Sequence, residues 1–326
     1  VSARTQSVSV HFGGTIAVSN VSLDIDTGER FAIMGPSGSG KSTLLRAIAG
    51  LEPLESGSIF IDGCDVTNLK PHDRHVGLMF QDYALFPHLS VVDNVAYGLR
   101  MQGVAKSEGR SKASKLLEIA GLAGYEQRST GSLSGGERQR VALVRTLAPD
   151  PSLVMLDEPL GSLDLQLRES LLDTMRSTVA RAGATSLYVT HDRTEAFAFA
   201  QRLAIMREGS VIRVGTPEAV WNNPETTFVA RFIGHANVVS GATIGLDTDA
   251  VTIPPDAITI DDAGRITGSV VDATFVDGHH ELAVRLTDGT LLKVHSAETT
   301  APGHEIRMTV ETALATELRV DSQLDD

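Results

Sequence analysis

A chain of 326 residues suggests about two domains, because single cores rarely grow past ~250–300 residues. With 42% hydrophobic and 21% charged residues and no low-complexity tract, the composition is that of a globular protein with ample surface to bury. The formal net charge of -13 excludes a broad basic footprint for nucleic acid, though not a local basic site for an anionic ligand.

The chain opens Val1-Ser2-Ala3-Arg4, without the apolar stretch of a secretory signal. Val8-Ser9-Val10-His11-Phe12 and Val21-Ser22-Leu23-Asp24-Ile25 alternate as exposed strands do. Phe31-Ala32-Ile33-Met34 is a continuous apolar run, the pattern of a buried strand, and leads straight into a glycine-rich turn. Ser58 to Ile61 and Val76 to Phe80 read as further strands. Between them lies the single cysteine, Cys64, read as a small buried hydrophobe. One cysteine cannot form an internal disulfide, which fits a reducing cytosolic setting. From Ser90 to Ala148 the pattern turns helical, with Ala113, Leu116, Leu117 and Ala120 on one face. Leu153 to Leu156 and Leu187 to Thr190 are short buried strands followed by helical segments. Alternating strands and helices imply a largely parallel sheet covered by helices. Nowhere do about 18 consecutive apolar residues occur, so no bilayer span is expected and any membrane path must come from other chains.

The texture changes near Gly234-His235-Ala236, beyond which short alternating strands replace helical periodicity. Asp288-Gly289 is a two-residue hairpin signal, and His279-His280 reads as a solvent-exposed turn rather than a pair of metal ligands. The expected division is therefore residues 1–235, with a helical subdomain at about 88–150, and residues 236–326 as a small all-β barrel or sandwich.

The chemistry sits in three strings. Gly35-Pro36-Ser37-Gly38-Ser39-Gly40-Lys41-Ser42 fits the phosphate-binding loop. Its glycines let successive N–H groups turn toward phosphate oxygens, Lys41 adds positive charge, and Ser42 can bind Mg²⁺. The helix starting at Thr43 aims its positive end at the same place. Leu153-Val154-Met155-Leu156-Asp157-Glu158 is a buried strand ending in two carboxylates. Asp157 is placed to hold Mg²⁺ through water, and Glu158 to polarise the attacking water. In Leu133-Ser134-Gly135-Gly136-Glu137-Arg138-Gln139, Ser134 and Glu137 form a capping box, and bare glycine N–H groups make a second anion site at a helix N-terminus.

That last string resembles the signature of ATP-binding-cassette ATPases, and the order phosphate loop, Gln81, signature, Asp157-Glu158, Asp164, His191 is that of the family. The resemblance covers nearly the whole chain. It implies an α/β P-loop NTPase cassette, with a RecA-like core and a helical subdomain, followed by an OB-like β-domain of the TOBE type. The chain looks like the importer subgroup that carries such a β-domain, the type serving ferric iron, polyamines, sulfate, thiamine or sugars. It further implies ATP and Mg²⁺ as cofactors and a head-to-tail homodimer in which Ser134, Gly135, Gly136 and Gln139 of one subunit meet the ATP held by the other. Membrane permease subunits would be direct partners and an extracytoplasmic solute-binding protein an indirect one, with the dimer at the cytoplasmic face of the membrane. Residue by residue, Phe12 resembles the aromatic that stacks on adenine, where tyrosine is more usual. Gln81 resembles the glutamine that senses Mg²⁺ and water, and His191 the histidine that contacts the γ-phosphate. Leu160-Gly161-Ser162-Leu163-Asp164 resembles the loop that signals across the dimer, with Gly161 where serine is common. Tyr83-Ala84-Leu85-Phe86-Pro87-His88 resembles the stretch lining the groove for a permease helix. Ile253-Pro254-Pro255-Asp256 resembles a β-domain motif in which arginine usually precedes the proline, so Pro254 departs from it.

A GTPase would need an Asn-Lys-x-Asp base-reading string, which is absent. A small-molecule kinase would not explain the signature. A soluble cassette ATPase of DNA repair or translation usually carries two cassettes or a coiled-coil or zinc insertion, and neither is present. That soluble cassette ATPase stays the alternative, and a regulatory binding module with hydrolysis secondary is a third reading.

Overall fold

The computed structural model describes residues 1–161 and 165–321, with side chains described from 168 onward in the second stretch. They form two compact units, Val1–Pro217 and Glu218–Asp326.

The first unit opens with β1 (Ala3–Phe12), β2 (Thr15–Ile25) and β3 (Arg30–Met34). β1 and β2 form a hairpin closed at Gly13 and Gly14, whose φ values of 53° and 90° favour glycine. After α1 (Lys41–Ala49) come β4 (Ser56–Ile61), β5 (Cys64–Asp65) and β6 (Val76–Met79). The end of α1 leaves unpaired carbonyls, as every helix does. Buried Arg74 donates to two of them, Ala47 O at 2.9 Å and Ile48 O at 3.0 Å. The helical segment contains α2 (Val91–Val95), α3 (Tyr97–Met101), α4 (Lys106–Ile119) and α5 (Gly135–Leu147). These helices bury their own core, including Val91, Val95, Leu99, Leu117, Leu122, Val141 and Val144. β7 (Leu153–Asp157), α6 (Leu165–Arg181), β8 (Ser186–Thr190), α7 (Arg193–Phe199), β9 (Arg202–Arg207) and β10 (Ser210–Gly215) complete the unit.

Two sheets result. A six-stranded sheet runs β10-β9-β3-β8-β7-β6, parallel except for β10, and a four-stranded antiparallel sheet runs β2-β1-β4-β5. One apolar cluster joins Val8, Val10 and Ile59 of the small sheet to Leu44, Leu45 and Ile48 of α1 and Ile33 and Val189 of the large one. β7 and β8 are buried at every position, as strands of a parallel sheet covered on both faces must be.

Among the described residues the second unit takes in α8 (Pro217–Asn222) from its second residue, α9 (Thr227–Ile233) and eight strands: β11 (Asn237–Val239), β12 (Ala250–Ile253), β13 (Ile258–Ile260), β14 (Ile266–Val276), β15 (His279–Leu286), β16 (Leu291–Ser296), β17 (Glu305–Val310) and β18 (Thr316–Leu318). They form antiparallel sheets ordered β11-β12-β18 and β13-β17-β14-β15-β16 around Val251, Ile253, Val270, Leu282, Val284, Leu292, Val294 and Met308.

Four features differ from the sequence reading. Cys64 is exposed rather than buried, because the short β5 pairs only with the end of β4 at the sheet edge. The two-residue Asp-Gly turn is Asp277-Gly278, with φ of 46° and 91°, joining β14 to β15 at Val276 and His279. His279 and His280 are therefore half-buried strand residues, and His279 lies against His295 with ring centroids 4.0 Å apart. Asp288-Gly289 lies in a longer connection closed by Leu286 N–H on Thr290 O at 2.8 Å. The compact β-rich unit also begins at Glu218, ahead of the change in texture at 235. The reason is α9, whose Ala230 packs with Ala250 of β12 and Leu318 of β18, while Thr227 N–H donates to Arg319 O.

Candidate nucleotide site

The carboxyl ends of the parallel strands β3, β6, β7 and β8 lie side by side in the large sheet, the place where open α/β sheets bind ligands. The phosphate-loop string leaves β3 there. A Cβ on Gly35 would sit 2.2 Å from Met206 O, and one on Gly40 would sit 2.2 Å from Ala17 O, so the loop is threaded between backbones only glycine can pass. Gly38 adopts φ of 79° with open space around it. Pro36 and Gly40 are half-buried and Ser37 and Gly38 exposed. Ser39 is buried, and its Oγ has no hydrogen-bond partner among the described residues, a polar atom of the kind a phosphate oxygen would satisfy. Lys41 folds back over the loop, donating to Gly35 O at 2.9 Å and Pro36 O at 2.8 Å. Burial pushes its amine pKa down, while Glu158 and Asp157 pull it back up. Thr43 is half-buried in the first turn of α1.

Ser42 Oγ donates to Asp157 Oδ1 at 2.8 Å, which brings the helix and the end of β7 together. Burial raises the Asp157 carboxyl above its ordinary range, opposed by the Ser42 bond and by Arg46. Glu158 follows with φ of 44°, a left-handed conformation that costs energy in a non-glycine residue. Its N–H donates to Val189 O at 2.9 Å, and its Oε2 lies 3.3 Å from His191 Nδ1 just beyond β8. Gln81, past the end of β6, is exposed. A Cβ on Gly161 would come 3.4 Å from Gln81 Nε2, so the missing side chain at 161 leaves the amide room beside the Glu158 loop. Ser42, Asp157 and Gln81 supply hard oxygen donors of the sort Mg²⁺ takes alongside phosphates, and they fit it. Among the described residues no cluster of three or more His, Cys, Asp or Glu forms an all-protein metal cage.

The signature string behaves as a helix cap. Ser134 Oγ accepts from Glu137 N–H at 3.3 Å, and Glu137 Oε2 accepts from Ser134 N–H at 2.7 Å. Tyr125 OH donates to Glu137 Oε1 at 2.8 Å and fixes the same carboxylate. Ser134 is exposed and Gly135 half-exposed.

Comparison with known proteins agrees with this geometry. The family described as ABC transporter matches residues 18–161. A Streptomyces coelicolor Fe(3+) ions import ATP-binding protein, FbpC, is 48% identical over 77% of this chain and 74% of its own length. This chain belongs to the ABC transporter family. A Thermotoga maritima spermidine/putrescine import ATP-binding protein, PotA, is 37% identical over 89% of this chain and 88% of its own length. A dimeric structure of the ATP-binding cassette MJ0796, in a post-hydrolysis state bound to ADP and Pi, superposes with a TM-score of 0.57 at 31% identity, covering 66% of this chain and 98% of that one. The chain is an ABC ATPase with the cassette fold.

Within the cassette, two signature residues are buried. Gln139 is fully buried, and its Nε2 donates to Pro159 O at 3.2 Å, which removes it from the residues able to reach a nucleotide in another subunit. Gly136 is buried too, and a Cβ there would press on both methyl carbons of Leu171 at 3.2 Å. Phe12 is 46% exposed at the end of β1, so it is not a core aromatic and its ring is open to stacking. Asp164 lies outside the described residues. The stretch after Gln81 is held by residues that carry no sequence signal, because their partners are distant in the chain. Arg145 donates to Tyr83 O and Ala84 O at 2.7 and 2.6 Å. Phe86 stacks on Tyr97 with centroids 4.5 Å apart, and buried Asn94 accepts from Phe86 N–H at 2.8 Å. The apolar stretch is thus packed onto the helical segment.

Proposed function

We propose that this chain is the energy-coupling subunit of an importer, hydrolysing Mg-ATP in a head-to-tail homodimer bound to membrane permease subunits at the cytoplasmic face. The observation that carries the reading is the convergence of Lys41, the Ser42–Asp157 pair and the Glu158–His191 contact at adjoining strand ends. In this reading the loop from Gly35 to Ser42 cradles the phosphates through its N–H groups, and Lys41 trades its two carbonyl partners for phosphate oxygens. Ser42, Asp157 and Gln81 hold Mg²⁺, which when bound neutralises charge on the phosphates. Glu158 orients and deprotonates the attacking water, His191 contacts the γ-phosphate, and Phe12 stacks on adenine. Ser134 and the N–H groups of Gly135 and Gly136 close the site on the partner subunit, and Asp164 signals across the dimer. The half-buried stretch Tyr83–His88 receives the permease, and a solute-binding protein delivers cargo from outside. The cassette and β-rich unit act as catalytic and regulatory domains. The relatives imply ferric iron or a polyamine as cargo.

Glu158→Gln tests the chemistry. The amide keeps the shape of the site but cannot take a proton, so Mg-ATP should accumulate a stable dimer, seen by light scattering, with turnover reduced at least about a hundred-fold. Lys41→Ala in the same assay should give no dimer. Cargo is tested by co-expressing the chain with its neighbouring permease genes and measuring uptake of labelled ferric iron and spermidine. A trapped dimer without uptake of either would keep the ATPase and reject the cargo.

A further inference from the structure

Behind the half-exposed His191 lies a buried polar cluster that the chemistry above does not use. Glu195, on α7, is 4% exposed. Its Oε2 accepts from Thr190 Oγ1 at 2.6 Å and from Tyr188 OH at 2.9 Å. Its Oε1 faces Arg168 Nε at 3.7 Å, and Arg168 also donates to Asp192 Oδ2 at 3.2 Å. The other Asp192 oxygen caps α7, accepting from Thr194 N–H at 2.7 Å and Glu195 N–H at 3.3 Å. Thr190 Oγ1 does double duty, because it also accepts from Asp192 N–H at 3.0 Å.

Both chain neighbours of His191 are therefore pinned, Thr190 by Glu195 and Asp192 by Thr190 and Arg168. A buried carboxylate is costly unless it is satisfied; here two hydroxyls bond one oxygen, a guanidinium stands 3.7 Å from the other, and burial still holds the carboxyl above its ordinary range. An apolar residue at 195 would avoid that cost, and what the cluster contacts is the pair of residues on either side of His191. We propose that Glu195 and Thr190, braced by Arg168, are positioning residues that fix the backbone of His191 so that its imidazole keeps its 3.3 Å contact with Glu158. The inference rests on the reading of His191 as the γ-phosphate contact. Arg168 stands on α6, the helix that begins directly after residue 164 in the chain, so the cluster also ties that helix to His191.

The test uses the full chain with Thr190→Val, Thr190→Ser, Glu195→Gln and Arg168→Met, in wild-type and His191→Ala backgrounds. Valine keeps the shape of threonine but removes the hydroxyl; glutamine keeps an acceptor for the hydroxyls but turns a donor toward Arg168. Thr190→Val and Glu195→Gln should lower kcat on the order of ten-fold or more, with KM for ATP changed less than about two-fold, and Thr190→Ser should restore most of the rate. In the His191→Ala background the same changes should have no further effect on the residual rate, because they act through a side chain already removed. Equal losses in both backgrounds, or a fall in ATP affinity matching the fall in rate, would show a merely structural role and overturn the proposal. So would wild-type turnover in Thr190→Val and Glu195→Gln. If His191→Ala itself turned over like wild type, the assignment of the histidine would fail first, and this separates the two failures.

Discussion

Asp157 is 8% exposed at the end of β7, and its carboxyl is raised because burial outweighs the Ser42 bond and the attraction of Arg46 and Lys41. The net environment thus disfavours its charge while no cation is bound, although the proposed chemistry requires that charge. A group whose folded pKa is raised contributes stability that is present below the unfolded pKa and lost as pH rises through the folded value. The free protein should accordingly lose this contribution on going from acid toward neutral pH. Asp157→Asn keeps an oxygen acceptor for Ser42 and removes the charge. It should stabilise the nucleotide-free protein by on the order of 1 kcal/mol, read as a rise of about 2–4 °C in Tm, and abolish Mg-dependent hydrolysis. A lower Tm in Asp157→Asn would mean the attraction of Arg46 and Lys41 outweighs burial. Glu158, with φ of 44°, is a second place where the site spends stability on geometry.

The helix α5 shows how one short string serves two masters. Ser134 caps it from the exposed side, whereas Gly136 and Gln139 face inward to Leu171 and Pro159. A bulky change at Gly136 therefore disturbs the packing of α5 on α6 before it meets any partner subunit. Gly136→Ala should change thermal stability by less than about 1 kcal/mol, because alanine's helix gain offsets the few tenths of an ångström that Leu171 must give. Ser134→Ala should cost about 1 kcal/mol for the lost cap, and it should also prevent the ATP-trapped dimer in a Glu158→Gln background while leaving ATP binding to the single subunit intact. Normal dimer trapping by Ser134→Ala would argue against this end of α5 as the closing surface. The cross-subunit test belongs at Ser134, since Gly136 confounds it.

At the scale of the molecule, the two compact units meet in sequence at Pro217 and Glu218, inside α8. Residues Thr227, Val229, Ala230 and Ile233 of α9 are buried, and Thr227 and Ala230 make their contacts with β12, β18 and their flanks. A fragment of residues 1–216 should bind ATP and remain monodisperse, because domains carry their own cores. A fragment cut after Gly234 leaves the apolar face of α9 without its strands and should aggregate, as an unpartnered apolar face does. Size-exclusion chromatography of the two fragments distinguishes the cases; monodisperse behaviour of both would show that α9 does not depend on the β-rich unit.

The phosphate loop, the paired carboxylates and the capped signature helix were legible in contiguous residues, because phosphate cradling and helix capping are backbone chemistry completed within a few positions of the chain. The alternation of buried strands and helices was legible for the same reason, since side-chain period follows local geometry. Contacts between residues far apart in the chain were not. Which face of α5 turns inward depends on how it packs against α6, so the burial of the Gln139 side chain showed only in three dimensions. The exposure of Cys64 followed from β5 being an edge strand, and the hairpin at Asp277-Gly278 from the register of β14 on β15. The support of His191 by Glu195 and Arg168 spans α6, β8 and α7, and nothing in the local string Thr190-His191-Asp192 announces it. Sequence determined which groups this protein brings to a nucleotide; tertiary packing decided which of them point at one another.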